Sequence, residues 1–348
     1  MDNCWGPQFT EAKIEKTRKE GRLLTMELEL SRVCNLRCIY CYAQADGTHP
    51  DRELTLPEIK DALIQARELG AVRIIVLGGG EPLLYPEIKA VLDFLAQNGL
   101  EIELFTNATR IDLALAQFLA ERKIKPVVKF NSLNPRVQDL LAGKKGAAGL
   151  IRQGLDNLFA AGYPDVHLPL GAQTIICAQN YRELPAMWTY LREKGVIPYF
   201  ETLTDQGRAC GNPGLHVPGE ELKPLFEDLA RIDRERFGHD WAPKPPIAAF
   251  TCRRHLFSCT VTSTGEVFPC PGVTVSGGNI REKGLQEIIS NSRVFQDLRD
   301  IHKNIKGKCA ACEHNPPCYG CRGAAYQLSG DYLAEDPLCW LGRTGEEK

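Results

Sequence analysis

The sequence predicts an α/β fold: a parallel sheet, open or partly closed into a barrel, followed by a cysteine-rich C-terminal part. Two observations carry this. From residue 25 onward, short apolar strands and amphipathic helices alternate six times. After residue 250 the alternation stops, and eight of the chain's fourteen cysteines fall in that last stretch.

Strands are expected at Met26–Leu30, Arg73–Leu77, Glu101–Phe105, Val127–Phe130, Gln173–Ile176 and Pro198–Glu201, each a short apolar run. Between them, apolar residues recur at helical spacing over Leu56–Leu69, Pro86–Asn98, Leu113–Glu121, Gly146–Ala161 and Arg182–Lys194. Gly70, Gly99, Gly162 and Gly195 stand where left-handed helix stops belong, and Asp51–Thr55 and Thr109–Asp112 offer capping side chains. Ligands of such sheets bind beyond the C-terminal strand ends. Near residue 205 the pattern breaks at Gly207, Gly211, Pro213, Gly214, Pro218 and Gly219. A helix follows at Glu220–Phe237, then a stiff linker with Pro243, Pro245 and Pro246. Val261–Phe268, turning at Ser263-Thr264-Gly265, reads as a hairpin, and Leu285–Ile289 and Val294–Ile301 read as helices. This divides the chain into an N-terminal segment (1–24), a barrel (25–210), a helical linker (211–250) and a tail (251–348) that would not easily fold without metal.

Composition narrows the function. A chain of 348 residues, 43% apolar, can bury a core of its own, so its cysteines do not substitute for one. A formal charge of −2 gives no reason to expect nucleic acid as a partner, and no apolar stretch is long enough to span a bilayer, so no membrane is expected either. The polar N-terminus, with Glu11, Lys13, Glu15, Lys16, Arg18, Lys19 and Glu20, is not a signal peptide. Fourteen cysteines without an export signal point to reduced thiols in a cytoplasmic, low-oxygen setting, used for metal or catalysis.

Eleven of those cysteines form two blocks. The first is Cys34-x3-Cys38-x2-Cys41, on the loop after the first strand. Three thiolates on a short loop can hold three irons of a [4Fe–4S] cluster and leave the fourth iron open. A zinc site usually pairs CxxC with a distant CxxC or histidine, a symmetry this block lacks. The second block is Cys252, Cys259, Cys270, Cys309, Cys312, Cys318, Cys321 and Cys339, enough for two closed clusters of four ligands each; the competing reading is a pair of zinc-ribbon-like knuckles. Gly79-Gly80-Glu81-Pro82 follows the second strand, where glycines let backbone approach a ligand and a carboxylate can accept from an ammonium group.

These motifs resemble the radical S-adenosylmethionine (radical SAM) superfamily, in which the third cysteine follows an aromatic residue, here Tyr40. The tail resembles the SPASM extension of radical SAM maturases. The resemblance implies a partial (β/α)6 radical SAM barrel with a C-terminal SPASM domain. It implies S-adenosyl-L-methionine bound to the open iron, cleaved by one electron to a 5′-deoxyadenosyl radical that takes hydrogen from the substrate. It carries SAM contacts over to Gly79, Gly80, Glu81 and Pro82, to Thr106 and Asn107 after the third strand, to Asn131 and Ser132 after the fourth, and to Arg208 for the SAM carboxylate. Strand-end capping by Thr106, Asn107, Asn131 and Ser132 is the competing reading, as a surface arginine is for Arg208. The resemblance also assigns Cys252, Cys259, Cys270 and Cys321 to a first auxiliary [4Fe–4S] cluster, and Cys309, Cys312, Cys318 and Cys339 to a second. Three positions depart from the family pattern: Ala108 stands where Gly is frequent, Cys318 and Cys321 are separated by x2 instead of x3, and Pro271 occupies the place of an acidic base.

The resulting expectation is an oxidoreductase that modifies a peptide or protein side chain, with auxiliary clusters accepting an electron and flavodoxin or ferredoxin as donor. The alternatives are the same chemistry on a small molecule such as a sugar, and a non-catalytic metal-binding scaffold. Thirty-three residues precede Cys34, fewer than a leader-binding winged-helix module needs, so leader-guided modification is less expected than protein maturation. No catalytic base is assigned; Glu201, Asp205, His255 and Tyr199 are conceivable, and Lys129 is a candidate substrate contact. Cys4, Cys177 and Cys210 fall outside the cluster count.

Overall fold

The computed structural model describes residues 9–45, 52–244 and 251–341. Asp51, Cys4, Pro245 and Pro246, singled out above, lie outside the described residues. A helix, α1 (Glu11–Lys19), precedes β1 (Thr25–Glu29). Then follow α2 (Leu56–Glu68), β2 (Arg73–Leu77), α3 (Ile88–Gln97), β3 (Glu101–Thr106), α4 (Leu113–Glu121), β4 (Lys125–Lys129), α5 (Pro135–Ala142), α6 (Ala147–Ala160), β5 (Gly171–Ile176), α7 (Leu184–Glu193) and β6 (Ile197–Thr202). The six expected strands are all present, and Gly70, Gly99, Gly162 and Gly195 all take positive φ. Thr55 caps α2 through a reciprocal box with Glu58, and Asp112 caps α4.

Pairing is parallel from β1 to β6. Alternation along the strands splits the side chains between two faces. Met26, Leu28, Ile74, Val76, Ile102, Leu104 and Val128 join the main core with the helices. On the inner face, Ile75, Phe105, Val127, Ile197 and Tyr199 form a smaller apolar floor.

The tail is not set apart from this sheet. Its hairpin, β7 (Ser258–Val261) and β8 (Val267–Phe268), extends it to eight strands in the order β6-β5-β4-β3-β2-β1-β7-β8. β7 runs parallel to β1, with Met26 opposite Cys259 and Glu27 opposite Thr260. The hairpin therefore begins earlier than its turn signal indicated, because long-range pairing with β1 extends the first strand back to Ser258.

Between barrel and tail, α8 (Gly219–Ile232) continues into a wider turn at Asp233–Phe237. Asp233 is fully buried and pins this element to α7: it accepts from Trp188 Nε1 at 2.7 Å, Arg192 Nε at 2.9 Å and Trp241 Nε1 at 2.9 Å. The remaining helices are α9 (Leu285–Asn291), α10 (Arg293–Arg299), the short α11 (Ile301–Asn304) and α12 (Arg322–Ser329). Among the described residues no helix is long and apolar enough to cross a membrane.

Candidate active site

A cavity of about 670 Å³ opens at the C-terminal ends of the strands and runs down the inner face of the sheet. Its wall includes Cys34, Cys38 and Cys41, the Gly78–Glu81 turn, Thr106, Asn107, Asn131 and Lys129 on one side, and Cys252, Cys270 and Cys321 on the other. The first cysteine block and three cysteines of the second, more than two hundred residues away in the chain, thus face one volume.

The first thiol loop is held by distant backbone. Gly80 N donates to Ser31 O at 2.6 Å and Glu81 N to Val33 O at 2.8 Å, which laces the turn after β2 to the loop after β1. A Cβ on Gly80 would lie 2.0 Å from Val33 O, so only glycine permits this approach. Farther along, Arg37 N and Ile39 N donate to Ala142 O and Leu141 O at the end of α5, and Arg208 N donates to Cys41 O. Burial pushes the Cys34 thiol up to about 11 and the Cys38 thiol up to about 12, and both lie within electrostatic reach of Cys41.

Around this loop the polar residues form one network. Glu81 is 3% exposed and accepts from Thr106 Oγ1 at 2.5 Å, Asn107 N at 2.7 Å and Leu83 N at 3.1 Å. Burial raises its pKa while these donors work against the shift. Three of a carboxylate's roughly four acceptor positions are therefore used, and one remains for a further donor. Asn107 Nδ2 donates to Asn35 Oδ1 at 2.9 Å inside the thiol loop. Tyr40 accepts from Asn131 Nδ2 at 2.6 Å and donates toward Cys38. Gln138, which was not anticipated, orients Asn131 by accepting its backbone N–H at 2.8 Å.

Three residues carried over as SAM contacts stand elsewhere. Ser132 is buried; its Oγ donates to Asn134 O at 3.1 Å and also bonds Glu183, and it does not line the cavity. Pro82 starts a short 3₁₀ turn behind the wall. Arg208 does not line the cavity either: its Nε donates to Cys38 O at 2.8 Å and its Nη1 to Ala45 O at 2.9 Å, so it clasps the thiol loop from outside.

The tail thiols fall into two groups. Cys270 and Cys321 both lie within electrostatic reach of Cys252, and these three line the main cavity. Cys309, Cys312, Cys318 and Cys339 surround a small separate cavity with Asp336 and Tyr319. Cys259 joins neither group. It lies opposite Met26 on the helix-packed face of the sheet, is 0% exposed, and sits within the apolar core with Arg299 as its main electrostatic neighbour. The cause is strand alternation: β7 turns Ser258 toward the cavity and Cys259 away from it. The first tail group therefore has three thiols, not the four expected. Asp336 ties the two groups together, accepting from Cys321 N at 2.8 Å while its own N–H donates to Cys309 Sγ at 3.4 Å.

This arrangement fits the cofactors that the motifs imply. Buried thiols with raised pKa ionise only against a cation. Among the described residues no three His, Cys, Asp or Glu side chains stand close enough together to hold a single metal ion. Cys34, Cys38 and Cys41 on one side and Cys252, Cys270 and Cys321 on the other border a cavity with room for multi-iron groups.

Comparison with known proteins agrees. The model of the radical SAM superfamily matches residues 28–177, and that of the SPASM iron–sulfur cluster-binding domain matches residues 252–313. The AdoMet-dependent heme synthase of Methanosarcina barkeri (strain Fusaro / DSM 804) is 29% identical over 336 residues, covering 89% of this chain and 94% of that protein. The PqqA peptide cyclase of Streptomyces rochei is 27% identical over 344 residues, covering 91% and 89%. Among solved structures, Streptococcus suis SuiB bound to S-adenosylmethionine has the same fold, with a TM-score of 0.74 at 18% identity over 95% of this chain and 80% of that one. The two domain matches indicate iron–sulfur clusters and S-adenosyl-L-methionine as cofactors. The chain is thus an enzyme of the radical SAM superfamily with a C-terminal SPASM domain.

Proposed function

We propose that this enzyme is a maturase-type oxidoreductase that abstracts hydrogen from a peptide or protein side chain, and that its tail sites accept the electron released afterwards. The observation that carries the proposal is the single cavity shared by the first thiol loop and the group Cys252, Cys270 and Cys321. When bound, a [4Fe–4S] cluster with SAM supplies one-electron cleavage of SAM to a 5′-deoxyadenosyl radical and hydrogen abstraction.

The chain's own residues do the rest. Cys34, Cys38 and Cys41 are the ligands of the first site, and the loop geometry around them is fixed by Gly79, Gly80 and Arg208. Glu81, with its remaining acceptor position, receives an ammonium group, and Thr106 and Asn107 orient it. Asn131 and Tyr40 border the space for the ribose. Cys252, Cys270 and Cys321 hold one auxiliary cluster with three thiolates, and Cys309, Cys312, Cys318 and Cys339 hold a second with four. On this reading 25–210 works as the barrel and 251–348 as the auxiliary-cluster domain, with a flavodoxin- or ferredoxin-type protein as donor. The peptide cyclase among the relatives supports the substrate class.

A second reading, the same chemistry on a small molecule, is favoured by the heme synthase relative, which matches nearly end to end.

Anaerobically reconstituted protein should carry about twelve irons per chain and, with dithionite and SAM, release 5′-deoxyadenosine. Zinc without sulfide, or intact SAM, would sink the proposal. To separate the two substrate readings, a fully deuterated cell extract is divided into macromolecular and low-mass fractions. Deuterium in 5′-deoxyadenosine from the first fraction supports a peptide or protein, and from the second a small molecule.

A further inference from the structure

The wall between the two halves of the cavity carries an ion pair that the proposed chemistry has not used. Arg254, two residues after Cys252, pairs through Nη1 with Oε1 of Glu27 on β1. Glu27 accepts from Thr260 Oγ1 on β7 at 2.6 Å through its other oxygen. The carboxylate is shut away, with its side chain 4% exposed, whereas the guanidinium side chain keeps 32% of its surface open. Both residues line the main cavity together with Cys252, Cys270 and Cys321. Burial opposes the guanidinium's charge; Glu27 and then the sulfurs of Cys252 and Cys270 outweigh it.

The placement follows from the fold. The strand face that turns Cys259 away turns Glu27 and Thr260 inward, and the three-residue turn at Arg254–Leu256 sets the guanidinium over them. A buried carboxylate is costly without partners, and Thr260 with Arg254 supplies two. A surplus of one charge at this point would act strongly on anything that gains or loses an electron beside it, because low-dielectric surroundings screen it poorly.

We propose that Arg254 and Glu27 form a charge pair of opposing sign that sets the reduction potential of the group held by Cys252, Cys270 and Cys321. One-electron reduction makes that group more negative by one charge. No bond forms or breaks. The guanidinium favours the reduced form and the carboxylate disfavours it, so the pair holds the site between the potentials that either charge alone would give. Both are positioning residues, since neither needs to touch the substrate. The inference rests on the tail thiols holding a cluster, as proposed above.

The test uses the full-length, reconstituted protein and an EPR-monitored redox titration with dithionite. The signal of this site is the one lost in Cys270→Ser. Arg254→Gln should lower its midpoint and Glu27→Gln should raise it, each by at least tenfold in the reduction equilibrium, about 59 mV for a one-electron couple. The double variant should return to within about threefold of the wild type, a cancellation that a merely structural role would not produce. The signal that responds to added SAM should not move. Single variants that shift in the same direction, or not at all, overturn the inference. If Arg254→Gln loses iron, Glu27→Gln decides alone, and an unchanged or lowered midpoint there is equally fatal. A wild-type iron count with no tail cluster would instead remove the underlying cluster reading, and the iron assay reports that separately.

Discussion

The first thiol loop and the cysteine-rich tail solve the same problem by opposite means. In the loop, three thiols lie within eight residues, and distant segments only brace them: Gly79–Glu81 after β2, the end of α5, and Arg208 after β6. In the tail, one thiol group is assembled from three separated segments, at Cys252, Cys270 and Cys321. Its neighbour takes Cys309, Cys312, Cys318 and Cys339, so the two groups interleave along the chain. Local spacing therefore identifies the first site, whereas only tertiary structure partitions the second block. The loop depends on backbone packing and the tail on where strand β7 turns each side chain.

The largest expected effect tests the loop. Serine at Cys34, Cys38 or Cys41 should abolish 5′-deoxyadenosine formation and remove about four of about twelve irons, leaving the tail irons in place. Mass-spectrometric product assay and iron analysis check both halves. Loss of all iron from such a variant would mean that the two regions are not independent, and the contrast would fail.

Next in size is a stability effect at the joint between the regions. Asp233→Asn removes the buried carboxylate that pairs with Arg192, whose side chain is 6% exposed. Breaking a buried pair in this way costs about 3 kcal/mol or more. The thermal midpoint of the reconstituted protein should fall clearly while iron content stays at the wild-type value. Iron loss from the tail alone would show that the α7–α8 contact supports the tail directly.

The bracing of the loop predicts a smaller but sharper effect. Gly143 ends α5 at φ +62°, and a Cβ there would lie 2.0 Å from Arg37 O within the loop. Gly143→Ala should cost about 2 kcal/mol, from left-handed strain and displacement of that backbone. Because the displaced segment runs between Cys34 and Cys38, the loss should appear as weaker SAM binding by calorimetry, with tail cluster signals unchanged. Equal damage to loop and tail signals would contradict the local character of the loop.

These residues also show what the sequence makes legible. Alternating apolar runs and glycine stops mark all six barrel strands and every helix between them except α5, since those are short-range patterns. Helix α5 was missed although its signals are present, with Asn134 as cap, Pro135 at the first turn and Gly143 as stop. Eight residues between a strand and a longer helix are too few for periodicity to stand out. Helix α1 was read only as a polar segment because Ile14 and Thr17 alone are buried on it. Around the cavity, Cys34, Cys38, Cys41, Glu81 and Asn107 are residues that short motifs single out. The loop-clasping role of Arg208 is not legible, because it depends on carbonyls more than 160 residues away in the chain. Parallel pairing of β7 with β1 leaves no local mark either, and so the face that Cys259 takes is not legible in the sequence.

Cys259 gives the smallest effect and the most direct test of the contrast. The family resemblance groups it with Cys252 and Cys270. By register it lies beside Met26, on the face opposite the cavity, where burial pushes its thiol up to about 12 and apolar neighbours surround it. A small buried thiol of this kind packs as a hydrophobe. Cys259→Ala should therefore cost only about 1 kcal/mol of stability, keep the full complement of iron, and leave the EPR signal of the first tail group intact. Cys270→Ser, eleven positions along, should lose that signal. If the two variants lose the same iron and the same signal, strand β7 must rotate when the cluster is bound. Thr260, next to Cys259 on the same strand, would then turn away from Glu27, and the first tail group would gain its fourth thiol.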